Sequence, residues 1–346
     1  MIKIDLRSDT FTLPDEGMCR AMYDAEVGNA GFYEDPSVNL LEQEVADFFG
    51  VEAGLFLPSA TMAGQVATKV WTDPGDMVII EEYGHSYYFE MGAMTTISGV
   101  VPRLIKGERG LVSPAQVEAL IRHPENAYAR SSLVILENTS NFGGGTVYPQ
   151  NTLDQIFSLA TDHKLAVHID GARIWNALVA SGGDPRHQLQ KGGSMSVCFS
   201  KGLGAPMGAL LVGSSDFIAE SRRIQAMLGG VMRQVGFMAA AALYGFRHNR
   251  DRLAEDHENC ALIADRLVEH PTIEIDRDGV ETNLLYFGVK GGTEKAAWLV
   301  ERLAEKGIGA FNLGPLIRLV TNLNVSREDC IYTADVITDL LSEKGT

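Results

Sequence analysis

Asp170 and Lys201 are the residues best placed for chemistry, because each ends a short apolar segment. Leu165-Ala-Val-His-Ile169 is brief and β-branched enough for a buried strand, and it runs into Asp170 and a Gly171-Ala172 turn. Met195-Ser-Val-Cys-Phe199 predicts a second strand, running into Ser200-Lys201-Gly202. In an open α/β sheet, ligands sit beyond the carboxyl ends of the strands. An acid and an amine at two such ends therefore face one pocket. Gly202-Leu-Gly-Ala-Pro206, just after the lysine, keeps side chains small where a ligand would approach the backbone. The pair suits pyridoxal phosphate, which takes a lysine for its Schiff base and a carboxylate for its ring nitrogen.

Other candidates carry more than one reading each. Ser59-Ala60-Thr61-Met62 lies at a strand-to-helix turn, where backbone N–H groups would cradle a phosphate or a serine would simply cap a helix. His85 follows a strand and reads as a ring-stacking residue, a base, or a plain surface histidine. Ser8 is a turn residue or a ligand contact. No GxxxxGK[ST] occurs, no GxGxxG stands between a strand and a helix, and no HExxH is present. His163 and His168 are poorly spaced for a metal, so none is expected.

These residues need a scaffold of alternating strands and helices. Gly54–Leu57, Met77–Ile80, Leu133–Leu136, Leu165–Ile169, Val197–Phe199 and Ala209–Val212 read as buried strands separated by helical stretches. That alternation predicts an α/β fold with a mostly parallel sheet covered on both faces. Residues 1–14 read as an irregular arm before a helix starting near Pro14, and Val38–Phe49 reads as an amphipathic helix. A long helical stretch from Phe237 to Glu269, broken near Gly245, leads into a smaller α+β unit. That unit has strands at Ile273–Ile275, Asn283–Gly288 and Leu316–Val320, and helices at Glu294–Glu305 and the C-terminus. The division expected is a large domain over 1–250 and a small one over 251–346.

The 346-residue chain has a net charge of −16, which argues against nucleic acid or an anionic membrane as partner. Its four cysteines form no CxxC pair and fit a reducing cytoplasm. The N-terminus lacks a secretory h-region, and no apolar run approaches the ~20 residues a membrane span needs.

Taken in order, Asp5-Leu-Arg-Ser-Asp-Thr10, Tyr33-Glu-Asp-Pro36, Pro58-Ser-Ala-Thr-Met62, Glu137-Asn-Thr139, His168-Ile-Asp-Gly-Ala-Arg173, Ser200-Lys-Gly-Leu-Gly-Ala-Pro206, Met232-Arg-Gln234 and Arg318-Leu-Val-Thr321 resemble the low-specificity L-threonine aldolases. The resemblance covers nearly the whole chain. It implies the aspartate-aminotransferase-like fold type I of pyridoxal-phosphate enzymes, with a seven-stranded sheet in the large domain. Lys201 would bind the cofactor covalently, Asp170 would pair with the ring nitrogen, Arg173 would contact the ring hydroxyl, and His85 would stack on the ring. Ala60 and Thr61 would hold the phosphate, helped by Arg233 from a neighbouring subunit. Ser8 and Arg318 would clamp the substrate carboxylate.

The activity implied is cleavage of a β-hydroxy-α-amino acid, such as L-threonine, to glycine and an aldehyde, by a carbon–carbon lyase in a homodimer or homotetramer with the site at the subunit interface. Four positions depart from the family pattern. Ser140 stands where a histidine commonly contacts the β-hydroxyl, Phe32 precedes Tyr33-Glu-Asp-Pro36, Asn322 follows the Arg318 motif in place of histidine, and Ala226 replaces a basic residue. The cofactor half is kept while the β-substituent half is altered. A different outcome of the same chemistry stays open: β-elimination, racemisation of alanine or serine, or cleavage of an unusual β-hydroxy amino acid. A degenerate pyridoxal-phosphate binder is the non-enzymatic alternative.

Overall fold

The computed structural model describes residues 1–122 and 129–342. A short strand, β1 (Ile4–Asp5), and two helices, α1 (Glu16–Tyr23) and α2 (Pro36–Phe49), precede the sheet. Asp15 caps α1, and Asp35 caps α2 with Pro36 in its first turn, so both helices begin where side-chain acceptors meet free N–H groups.

The central sheet comprises β2 (Ala53–Leu57), β3 (Met77–Glu81), β4 (Val101–Ile105), β5 (Ser131–Glu137), β6 (Ala166–Gly171), β7 (Gly193–Cys198) and β8 (Ala209–Gly213). Their spatial order is β2-β8-β7-β6-β5-β3-β4. Pairings from β7 through β4 are parallel, whereas β8 is antiparallel to both β7 and β2. The central strands are buried along their whole length, which is why short apolar stretches mark them in the sequence. β4 has no such signature, because Val101-Pro-Arg-Leu-Ile105 is a half-exposed edge strand that tolerates proline.

Helices α3 (Ala60–Trp71), α4 (His85–Tyr88), α5 (Pro114–Leu120), α6 (Gln150–Asp162), α7 (Ile174–Ser181) and α8 (Ser215–Met227) fill the connections. The helical stretch beyond them breaks later than expected. α9 (Gly236–His248) passes straight through Gly245, and α10 (Leu253–Leu267) starts after a turn. Gly245 is a packing residue, since a Cβ there would lie 2.7 Å from the Leu203 carbonyl oxygen.

The C-terminal part adds β9 (Ile273–Glu274), β10 (Leu284–Val289), α11 (Gly292–Glu305), β11 (Ile308–Gly309), β12 (Phe311–Leu313), β13 (Leu316–Val320) and α12 (Arg327–Ser342). Four strands form an antiparallel sheet in the order β12-β13-β10-β9. The arm is less irregular than its sequence suggests, because β1 pairs in parallel with β11. Leu6 is fully buried with Leu285, Phe287 and Leu319 in that unit's core. The arm thus runs between the unit's core and the carboxyl ends of the large sheet.

Candidate active site

Neighbouring strands bring the acid and the amine together. Asp170 near the end of β6 is in register with Glu137 on β5 and Ser196 on β7, and Lys201 lies on the turn after β7. Asp170 is buried, and its Oδ1 accepts the Ala172 N–H at 3.1 Å. It has no ion-pair partner among the described residues, and the Lys201 ammonium has neither an ion pair nor a hydrogen bond among them. Both groups thus stand at the sheet end without a protein counter-charge in direct contact.

Arg173 begins α7 and points to the arm. Its Nε donates to Asp9 Oδ2 and its Nη2 to Asp9 Oδ1, both at 2.7 Å. Asn283 Nδ2 donates to the same carboxylate at 3.2 Å. Burial pushes the Asp9 carboxyl up, but the charge and hydrogen bonds of Arg173, with Lys201 and Asn283, outweigh it and hold the carboxyl below its ordinary range. The guanidinium that the resemblance assigns to a ring hydroxyl is therefore anchored on two nitrogens by an aspartate of the arm.

His85 opens α4. Its Nδ1 lies 3.0 Å from Glu90 Oε1, and its main-chain N–H donates to Glu137 Oε2 at 3.2 Å. Burial lowers the imidazolium, yet the Glu90 hydrogen bond and the charges of Asp170, Glu90 and Glu137 raise it overall. Glu137 is itself pushed up to about 7, first by burial and then by Asp170. Its other oxygen accepts the Asn141 N–H at 3.1 Å.

Arg318, at the middle of β13, reaches the same region. Its Nη1 donates to Asn141 Oδ1 at 3.4 Å and its Nη2 to the Arg7 carbonyl at 3.1 Å, while its buried Nε has no partner among the described residues. Ser8, next to Arg7, is buried and caps the short turn Asp9–Phe11, accepting Thr10 N–H at 3.3 Å. Tyr286 lies opposite Arg318 in the strand register.

The remaining candidates divide. Ala60 and Thr61 form the first turn of α3, which starts two residues earlier than its apolar pattern, and Ser59 caps it by accepting Met62 N–H. Ser140 is buried, but its hydroxyl accepts Gly143 N–H at 3.2 Å and packs against Gly110, where a Cβ would come within 1.9 Å of it. Asn322 is turned to the arm, donating to the carbonyls of Asp5 and Val320. Phe32, 65 % exposed, and Arg233, also exposed, share a surface where Ala30 N–H donates to the Arg233 carbonyl. Ala226 lines a cavity of about 280 Å³ nearby, with Arg222, Arg223 and Tyr33.

Sequence patterns assign no role to Glu90, Asn141 or Asn283, and mark Asp9 and Glu137 only as members of motifs. Each acts as the partner of a residue distant in the chain or on an irregular loop, where no periodicity marks it. No group of three or more metal-ligating side chains occurs among the described residues.

A wide α/β sheet with charged groups at its carboxyl edge defines a class, and residues 5–289 match the family model of the beta-eliminating lyases. The low-specificity L-threonine aldolase of Escherichia coli K12 is 40% identical over 96% of this chain and 97% of its own length. Low-specificity L-threonine aldolase 1 of Arabidopsis thaliana is 37% identical over 96% and 95%. The chain belongs to the low-specificity L-threonine aldolase family within the beta-eliminating lyases. Leishmania major threonine aldolase superposes with a TM-score of 0.85 at 17% identity, covering 98% of this chain and all of that one. Aspartate aminotransferase of Thermotoga maritima gives 0.74 at 18% identity, covering 99% and 92%. At such identities the likeness is one of fold, the aspartate-aminotransferase-like fold type I.

Proposed function

We propose that this chain is a pyridoxal-phosphate-dependent aldolase that cleaves L-threonine, L-allo-threonine and related β-hydroxy-α-amino acids to glycine and an aldehyde. The observation that carries the reading is the unpaired Asp170–Lys201 couple at adjacent strand ends, in a chain of this family. A buried carboxylate without a counter-ion calls for a cation, and a protonated ring nitrogen is one. A lysine amine on the turn after the next strand, without a partner among the described residues, would supply the covalent anchor. The residues present therefore fit the cofactor.

Pyridoxal phosphate, when bound, supplies an electron-withdrawing ring that takes up the electron pair released at Cα. Lys201 would anchor it and Asp170 would balance its ring nitrogen. The first-turn N–H groups of Ala60 and Thr61, at the positive end of the 12-residue α3, would hold its phosphate. Arg318, with its unsatisfied Nε, and Ser8 bind the substrate carboxylate, which fixes the bond to be broken. Ser140 cannot serve as the base, since its hydroxyl is tied to Gly143 and hydroxyls do not titrate near neutrality. His85 remains, with Nε2 free of hydrogen bonds among the described residues, and it takes the β-hydroxyl proton.

The exposed Phe32 and Arg233 fit a site completed across a homodimer, paired further into a tetramer. Cysteines 19, 198, 260 and 330 are all free, which suits a reducing cytoplasm. Among the described residues no helix is long and apolar enough to cross a membrane. The test is an end-product assay on the cofactor-loaded protein. Glycine with acetaldehyde is expected from L-threonine or L-allo-threonine. No glycine from either, with 2-oxobutyrate and ammonia from threonine, pyruvate from L-serine or racemised product from L-alanine instead, would overturn the assignment.

A further inference from the structure

Glu90 lies two residues beyond the short helix α4 that His85 opens, and is buried. Its two oxygens serve different groups: Oε1 faces His85 Nδ1 at 3.0 Å, and Oε2 accepts a hydrogen bond from Gln65 Nε2 at 2.6 Å. Gln65 lies midway along α3 and is buried too, yet its own Oε1 has no partner among the described residues. An unpaired buried amide oxygen opposes folding, and an apolar side chain would fill the position without that loss. What the glutamine retains is its donor. With its NH₂ toward Glu90 Oε2, Gln65 donates to the carboxylate, whereas turning the amide over would set its oxygen against that charge. A carboxylate oxygen 3.0 Å from Nδ1 accepts a proton donated by that nitrogen, which selects the Nδ1–H form of His85. Nε2 is then the nitrogen whose lone pair exchanges a proton.

We propose that Gln65 and Glu90 are positioning residues for His85: Gln65 fixes the Glu90 carboxylate, and Glu90 fixes the ring and tautomer that present Nε2 to the substrate β-hydroxyl. The inference rests on the aldolase reading above. In the step served, the O–H bond breaks and its proton forms N–H at Nε2. The O–H electron pair becomes the second C–O bond of the aldehyde as Cα–Cβ breaks, and the imidazolium returns its proton to the carbon that becomes glycine. The charged groups facing His85 are Glu90 just beyond α4, Glu137 from β5 and Asp170 from β6, while α3 offers only the neutral Gln65. Glu137 holds the main chain of His85 and not its ring, so ring orientation is left to Glu90.

The test follows His85 itself. Protein labelled with ¹³C at histidine, with and without pyridoxal phosphate, is titrated by NMR, and the His85 signal is assigned by its loss in His85→Asn. Glu90→Gln is expected to lower the His85 midpoint by about one pH unit, the size of a lost opposite charge at this range. Gln65→Leu lowers it in the same direction by less, and Glu90→Asp, which keeps the charge, stays near the parent. In the loaded enzyme the acid limb of kcat for glycine release moves down with the midpoint. In Glu90→Gln, kcat also falls about tenfold at unchanged KM, a fraction of the ~10²–10⁴ that a general base contributes. A His85 midpoint unmoved in both Glu90→Gln and Gln65→Leu overturns the proposal. A shifted midpoint in a protein that releases no glycine supports the positioning role and overturns the aldolase reading instead.

Discussion

Arg173 shows how much one partner can decide. With both nitrogens on Asp9, the guanidinium is held at the sheet edge by a residue 164 positions away in the chain. Removing one member of a buried ion pair strands the other, at about 3–5 kcal/mol. Asp9→Ala should therefore destabilise the fold by that order, read as a lowered urea midpoint at unchanged slope. A loss below about 1 kcal/mol would mean that Arg173 finds solvent or another acceptor. Lys201→Ala probes the neighbouring group, and the loaded protein should lose its yellow colour and its bleaching by borohydride. Lys201, Asp170 and His85 were legible in the sequence because each follows an apolar run at a strand end. Glu90 was not, because a lone acid after a short helix has no pattern to mark it. Asp9 showed only as one member of the Asp5–Thr10 motif, with nothing to name Arg173 as its partner.

Among the elements, β5 and its loop tie the site together through Glu137, which holds the main chains of His85 and Asn141. Burial raises its carboxyl to about 7, with Asp170 adding to the effect. The folded chain therefore keeps a proton that the unfolded chain releases near its ordinary value. Stability from this group is fully present below about pH 4.5 and is lost as pH rises through about 7. Glu137→Gln removes that loss, at most about 3 kcal/mol, so the unloaded variant should show a flatter stability curve across this window. Urea midpoints at about pH 5 and about pH 8 read the difference; parallel curves for parent and variant would refute it. The central strands were readable because burial on both faces leaves each with an apolar stretch, such as Leu133–Leu136. β4 and β1 were not, since an edge strand with Pro102 and a two-residue strand depend on their partners for definition. The break after α9 was misplaced for a related reason: Gly245 reads as a helix breaker until Leu203 is seen packed against it.

The whole molecule places its charged edge where three parts of the chain meet: the arm with Asp9, the sheet with Asp170 and Glu137, and the C-terminal unit with Asn283 and Arg318. Asp9 accepts from both Arg173 and Asn283, and the Arg7 carbonyl accepts from Arg318, so arm and C-terminal unit close on the sheet through hydrogen bonds with named partners. Phe32 and Tyr33, 65 % and 61 % exposed, and Arg233 stand outside this convergence. Aromatic side chains left so open, beside a basic one, suit a surface that a second copy covers. In a symmetric dimer a residue acting across the interface serves the partner's site, and that can be separated from action within one chain. Lys201→Ala and Arg233→Ala, each weak or inactive alone, are co-expressed with different tags and the mixed dimer is purified. If Arg233 acts across the interface, one of the two sites carries both defects and the other carries none, so glycine release reappears. If it acts within its own chain, each site keeps one defect and the mixed dimer stays as poor as its parents.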